Sequence, residues 1–323
     1  MKRRTLCLAG LLPMLSAIAA RAQTVPRAAT IGFLVGSLAV DRGWIDAFVR
    51  RLADLGWKEG STLTVLTRDV LGDNERAARF AAELVERKVD LIVTFGTPAA
   101  QAAQRATSTI PIVLALIADP VASGLVASLT RPGGNITGVD NLQAAAASKR
   151  VGLLREMVPK LQRLGILVNP TAQGVVWEME SARAAARAAG LEVVVAEAAR
   201  PEAIDAALER LSAVEAINAC ADPLVARFAR RVNAFGLQAK IAVAWSPRAL
   251  IDGGALMTYG PDYVDIMRRA AGYADRILRG TPPGDLPVEQ AVKFDLAVNQ
   301  GVARALGIVV PPTVLAAADD ILD

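Results

Sequence analysis

The chain contains the same structural passage twice. Ile31-Gly32-Phe33-Leu34-Val35-Gly36-Ser37 returns as Leu164-Gly165-Ile166-Leu167-Val168-Asn169-Pro170. Each run is an apolar strand that stops in small or polar residues. An amphipathic helix follows each, closing at Leu55-Gly56 and at Ala189-Gly190. A second strand comes next in both copies, Thr62–Thr67 and Leu191–Ala196. After another helix a third strand runs into a turn with proline, Leu91–Pro98 and Ala216–Pro223. The copies start about 130 residues apart, the size of one domain. Short runs of Ile, Val, Leu and Phe bounded by Gly, Asp or Pro are the pattern of parallel strands buried on both faces. Two such halves with polar turns at their strand ends predict a cleft, because parallel sheets bind ligands beyond the carboxyl ends of their strands.

Residues 1–22 stand apart from this repeat. Lys2, Arg3 and Arg4 form a positive start, Leu6 to Ala20 is apolar and uncharged, and Ala20-Arg21-Ala22 reads as a cleavage signal. The segment is expected to be a signal peptide, with Gln23 opening the mature chain. The apolar run is shorter than the about 20 residues that span a bilayer, and Pro13 interrupts it. An uncleaved anchor is the alternative. The chain has 36 basic and 32 acidic residues, but four basic residues and no acids fall in the leader, so the remainder is formally neutral. That balance gives no reason to expect nucleic acid as a partner. Beyond the leader only Cys220 remains, so no intramolecular disulfide can form, and a buried, inert thiol is the simpler reading. The chain has no histidine, which removes Ser-His-Asp and Cys-His catalysis, histidine metal ligands and the commonest proton shuttle near neutral pH. No nucleotide-binding glycine motif and no nucleophile elbow occurs. Composition favours a protein that holds something over one that transforms it, with no cofactor and no metal.

Strand–helix alternation continues through Ile112–Ile117, a short helix at Val121–Leu129, and an extended Ile136-Thr137-Gly138-Val139 after the turn Arg131–Asn135. Trp44, Phe48, Leu52 and Leu55 share one face of the first helix. In the second half the alternation runs to a strand at Ile241–Ala244, and then the pattern changes. Gly253–Gly260 is a glycine-bounded strand, and a long helix follows with Ile266, Ala270, Tyr273 and Ile277 on one face. Pro287 to Val298 is extended. Two late strands exceed what two simple halves need, so the chain is expected to pass between lobes near 140, 257 and 290. The fold class is α/β: two Rossmann-like, doubly wound lobes joined by three crossover strands. Lobe 1 takes residues 26–139 plus 257–288, and lobe 2 takes 140–256 plus 289–323.

Several motifs then point to a family. They are Asp119-Pro120-Val121 with Gly124–Leu129, Arg131-Pro132-Gly133-Gly134-Asn135 through Val139, and Gly96-Thr97-Pro98-Ala99-Ala100. The tail adds Leu286–Gln290, Lys293-Phe294-Asp295-Leu296, Asn299, Ala305-Leu306-Gly307 and Val310-Pro311-Pro312. Across the whole mature chain the sequence resembles the periplasmic substrate-binding proteins of ABC importers, a group that includes tryptophan- and tyrosine-type binders. The resemblance implies a type I periplasmic-binding-protein fold, periplasmic location, a small-molecule ligand trapped between the lobes, and an ABC permease with its ATPase as partners. The protein is expected to act as a monomer and not as an enzyme. Two segments depart from the family: Thr171-Ala172-Gln173-Gly174 replaces a second Asn-Pro, and Leu66–Asp73 lacks an aromatic residue. Both lie near the presumed cleft and bear on which ligand is bound.

Candidate ligand contacts sit at strand ends. Ser37 ends the first strand, where its hydroxyl and nearby amides suit a carboxylate or merely shape a turn. Gly96 and Thr97 open a helix, with Thr97 read as N-cap and Pro98 as the first helical residue. Free amides there attract an anion. Asp119 and Asp222 each precede a proline and a helical segment, so each either caps its helix or pairs with a ligand ammonium. Asn169 ends the first strand of the second copy and can donate and accept. Trp245 offers a stacking face or packs in the core. Tyr259 falls at an expected crossing. Trp44, Trp57 and Trp177 read as helix packing or lobe surface. The expected ligand is an amino acid or similar small zwitterion. A ligand-sensing domain using the same cleft, and a periplasmic enzyme working with carboxylates alone, are the rivals.

Overall fold

The computed structural model describes residues 28–171 and 173–323, so the leader expected at residues 1–22 lies outside the described residues. The chain opens with β1 (Ala29–Val35), α1 (Leu38–Asp54), β2 (Leu63–Asp69), α2 (Asn74–Glu86), β3 (Leu91–Phe95), α3 (Thr97–Ala106), β4 (Ile112–Ile117) and β5 (Ile136–Asp140). It continues with α4 (Gln143–Met157), β6 (Arg163–Val168), α5 (Gln173–Ala188), β7 (Glu192–Glu197), α6 (Ile204–Arg210), β8 (Ala216–Ala219), α7 (Pro223–Arg227), α8 (Ala229–Ala239), β9 (Ala242–Trp245) and β10 (Met257–Pro261). The tail adds α9 (Tyr263–Leu278), β11 (Glu289–Gln290), β12 (Phe294–Asn299), α10 (Gln300–Leu306), α11 (Pro312–Ala317) and β13 (Asp320–Leu322).

The repeat read from the sequence is a repeat of topology. The first sheet runs β11-β5-β4-β3-β1-β2 and the second β13-β12-β10-β9-β8-β6-β7. Stripped of late additions, both follow one order, with the first strand lying between the second and the third. Every pair is parallel except β10 with β12. Each sheet is covered on both faces. Helices α1 and α9 pack one face of the first sheet around Phe33, Phe48 and Tyr273, while α2 and α3 cover the other around Leu84 and Ile92. Phe33 meets Phe48 edge-on at 5.1 Å and Phe95 at 6.1 Å, the geometry aromatic rings prefer. Gly32 in β1 has its counterpart in Gly165 of β6. A Cβ at Gly32 would sit 2.7 Å from Leu84 and one at Gly165 2.8 Å from Leu211, so both copies use a glycine to let a leucine onto the sheet.

The chain changes sheets between β5 and α4, between β10 and α9, and between β11 and β12. Residue 257 was expected to begin a return to the first lobe, yet β10 pairs with β9 and, over five residues, with β12. It therefore completes the second sheet, and the crossing follows at residues 261–263. The two-residue β11 pairs with Val139 and Asp140 of β5, so it belongs to the first sheet and not, as read, to the second. The crossings are bonded side by side. Ala291 N donates to Asp140 O at 2.8 Å, Gln290 Nε2 to Asp140 Oδ2 at 3.3 Å, and Asp262 N to Lys293 O at 2.9 Å.

Three local expectations shift. Helix α1 begins six residues before Trp44, because carboxylates take its first amides: Ser37 N donates to Asp41 Oδ2 at 2.8 Å and Leu38 N to Asp69 Oδ2 at 3.1 Å. The N-cap of α3 is Gly96 at φ +83°, a left-handed value that suits glycine, which moves Thr97 and Pro98 one position inward. The helix expected at Val121–Leu129 is a series of turns, with Asp119 and Gly124 both at positive φ.

Candidate functional site

In each sheet the first strand lies between the second and the third, so the loops after the first and third strands leave toward opposite faces. A crevice opens between them. Both crevices face one another. The loops after β1 and β3 (Gly36-Ser37, Gly96-Thr97) and those after β6 and β8 (Asn169-Pro170, Ala221-Asp222) enclose a cavity of about 130 Å³. The lobes touch across it. A Cβ on Gly36 would lie 2.4 Å from Pro223 Cγ, and one on Gly174 2.8 Å from Thr97 Oγ1, so this closeness requires the bare glycine backbone.

Of the sequence-derived candidates, Ser37, Gly96, Thr97, Asn169, Asp222 and Trp245 line this cavity. Asp119 and Tyr259 do not. Asp119 is exposed, and its carboxylate accepts from Ala122 N at 2.9 Å, so it serves its own turn. Tyr259 stacks on Phe294 at 6.0 Å in the second sheet, and its carbonyl accepts from Arg150. The amide of Ser37 is already taken by Asp41, while the N-terminus of α3 opens on the cavity as an anion-attracting helix end. Trp44, assigned from sequence to packing or surface, also lines the cavity and meets Tyr263 edge-on at 4.8 Å.

Asp222 is buried. Its Oδ1 accepts from Leu224 N at 2.9 Å and Val225 N at 3.0 Å, and its Oδ2 from Asn169 Nδ2 at 3.2 Å. It is therefore both the helix cap and a cavity carboxylate. Burial outweighs these hydrogen bonds and pushes its pKa up to about 6. Asp41, from the first turn of α1, faces the same cavity from the other lobe, where burial pushes its pKa up to about 7.

Behind the second lobe's wall runs a polar network that sequence reasoning missed. Glu178 and Arg150 form an ion pair with no exposed surface. Arg150 Nε donates to Asn218 Oδ1 at 2.6 Å, Ala221 N to Glu178 Oε2 at 2.8 Å, and Gln143 Nε2 to Glu178 Oε1 at 3.1 Å. Tyr263 OH donates to Gln143 Oε1 at 3.0 Å, joining the start of α9 to the start of α4 across the hinge. The Tyr263 hydroxyl stays protonated, its pKa raised by burial. Trp245 turns its Nε1–H away to Asn233 Oδ1 at 2.8 Å and so offers the cavity an apolar face.

Two facing lobes of this order, with a cavity at their paired crevices, are the type I periplasmic-binding-protein fold. The profile of the ABC transporter substrate binding protein family matches residues 38–322, and the chain belongs to that family. A tyrosine-binding protein of Clostridioides difficile (strain R20291) is 28% identical over 260 residues, which is 80% of this chain and 75% of that protein. An ABC domain from Streptococcus pneumoniae solved in complex with L-Trp is 27% identical, covers 91% of this chain and 100% of its own, and superposes with a TM-score of 0.84. A ligand-free, open substrate binding protein with adhesive properties from Clostridium difficile is 26% identical, covers 91% and 99%, and superposes at 0.66. Among the described residues no helix is long and apolar enough to cross a membrane.

Proposed function

We propose that this chain captures an amino acid or similar small zwitterion in the interlobe cleft by hinge closure, outside the cytoplasmic membrane. The closed form is then read by an ABC permease with its ATPase. The observation that carries this reading is the pairing of opposite chemistries around one cavity: Asp41 and Asp222 for an ammonium, the amides opening α3 for a carboxylate. Trp44, Phe95 and Trp245 add aromatic side chains to the lining. The relatives with named ligands bind tyrosine or carry L-Trp, which supports the ligand class. This conformation lies nearer the L-Trp complex than the open protein at almost equal identity, and the glycine contacts across the cleft agree. Closure follows from differential affinity: a ligand touching both lobes binds the closed form better and shifts the population toward it. The protein acts as a monomer and performs no catalysis, a reading supported by the lack of histidine and by the structural engagement of Glu178 and Asp222.

A thermal-shift screen of the purified chain against amino acids, organic acids and sugars tests this reading. A ligand at 100 times its Kd stabilises by roughly 2.7 kcal/mol. A saturable hit recovered unchanged by mass spectrometry is the expected result. A compound consumed on incubation sinks the reading in favour of an enzyme.

A further inference from the structure

The charge around the cavity is not balanced. Asp41, Asp73, Glu178 and Asp222 line it, and among the described residues no lysine or arginine does. Two of the four carboxylates are accounted for. Glu178 is neutralised by Arg150, and Asp73 is solvent-exposed and caps α2 through Glu75 N and Arg76 N. Asp41 and Asp222 remain, 6% and 3% exposed, one from each lobe, with no cationic side chain paired to either among the described residues. Their hydrogen bonds differ. Asp222 has backbone amides and Asn169 on both oxygens. Asp41 has only backbone amides, Ser37 N donating to its Oδ2 at 2.8 Å with the Gly36 amide also acting on the carboxylate, and no side-chain donor among the described residues.

An ordinary zwitterion carries one ammonium and one carboxylate. The carboxylate has its place at the amides of α3, and the ammonium can pair with one aspartate, which leaves the other either to keep its proton or to take a second positive group. A second cationic group on the ligand completes the set. Trp44 and Tyr263, edge to face at 4.8 Å beside Asp41, suit the aliphatic stem of such a side chain and can add cation–π attraction.

We propose that the cleft is built for an amino acid with a cationic side chain, its two positive groups divided between Asp41 of the first lobe and Asp222 of the second. This inference rests on the reading of the cleft as the ligand site. It makes the second cation the element that joins the lobes, so removing it weakens closure as well as contact.

Matched pairs test it. Isothermal titration of the purified chain near neutral pH compares L-lysine with L-norleucine, which lacks the side-chain ammonium, and L-arginine with L-citrulline, which lacks the guanidinium charge. L-Tyrosine and L-tryptophan serve as aromatic zwitterions. In at least one pair the charged member should bind tenfold or more tighter, as expected for a buried charge-assisted pair. The isosteric Asp41→Asn should bring that ratio near one. Circular dichroism and melting curves establish that the variant folds. Neutral members binding as tightly as charged ones, a preference that survives both Asp41→Asn and Asp222→Asn, or silence with all six compounds each overturn the proposal. The cleft reading fails on a different result: a ligand, from this set or from the wider screen, whose affinity is unchanged in Gly36→Val.

Discussion

Glu178 and Asp41 are both buried carboxylates on the wall of one cavity, one from each lobe, and their surroundings differ in kind. Glu178 is held by Arg150, Gln143 and the amide of Ala221, so its charge is neutralised from within. Asp41 has only the backbone amides of Ser37 and Gly36 and, nearby, the like charge of Asp69. The second lobe thus presents a wall whose polar groups are fixed before any ligand arrives. The first lobe presents a carboxylate whose pKa burial has pushed up to about 7 and which no side chain fixes among the described residues. A binding cleft can divide its work this way, with one side preorganised and the other completed by the ligand.

Breaking the fixed side should cost most. Arg150→Met leaves Glu178 buried and unpaired and should destabilise the chain by about 3–5 kcal/mol in urea unfolding. Adding Glu178→Leu to it should recover much of that loss. A loss below about 1 kcal/mol for the single variant would show that the pair does not hold the wall.

The open side should respond in the opposite sense. The folded-state pKa values of Asp41 and Asp222 are raised to about 7 and about 6, so the folded chain keeps protons that the unfolded chain has lost. Their share of stability is complete below about pH 4 and is lost as the pH rises through 6 to 7. Asp41→Asn should therefore stabilise the empty protein at pH 8, on the order of 3 kcal/mol, and flatten the pH dependence between 5 and 8. A variant less stable than its parent at pH 8 would contradict this.

The contact between the sides, and the hinge motion proposed for it, is tested by Gly36→Val, whose side chain would meet Pro223 in the conformation described here. The melting temperature of the empty protein should hold, while ligand affinity falls about tenfold or more, equivalent to about 1.4 kcal/mol. Smallest is Trp245→Phe. It removes the bond to Asn233 and should cost about 1 kcal/mol in the same unfolding assay. An equal loss of ligand affinity would give the indole N–H a role that its orientation denies.

These carboxylates also mark where sequence reading stopped. Ser37, Thr97, Asn169 and Asp222 were legible because loops at strand ends announce themselves by a change from apolar to polar residues, and parallel sheets put such loops at ligands. Asp41, Gln143, Glu178 and Tyr263 lie within helices, where nothing local separates a cavity carboxylate from a solvated one. For Asp41 one signal was present: it lies four residues past Ser37, within reach of that residue's amide. Helix α1 hid it, because periodicity began only at Trp44. Asp119 misled for the opposite reason. Its Asp-Pro pair copies that of Asp222, yet its left-handed backbone turns it to solvent. The crossing expected at 257 slipped because an apolar, glycine-bounded strand looks the same whichever sheet it joins.

The late return of the chain to the first sheet sets an order on its making. Ile266, Met267, Ala270, Tyr273 and Ala274 of α9 pack into the same core as β1 and β3. Until residue 278 has been translated, one face of a sheet whose last long strand ended at residue 140 stands partly uncovered. At roughly 5–20 residues per second that is a delay on the order of ten seconds. For the exported protein proposed here, the delay is useful. The lobe nearest the N-terminus cannot finish folding until the α9 residues that complete its core have been made.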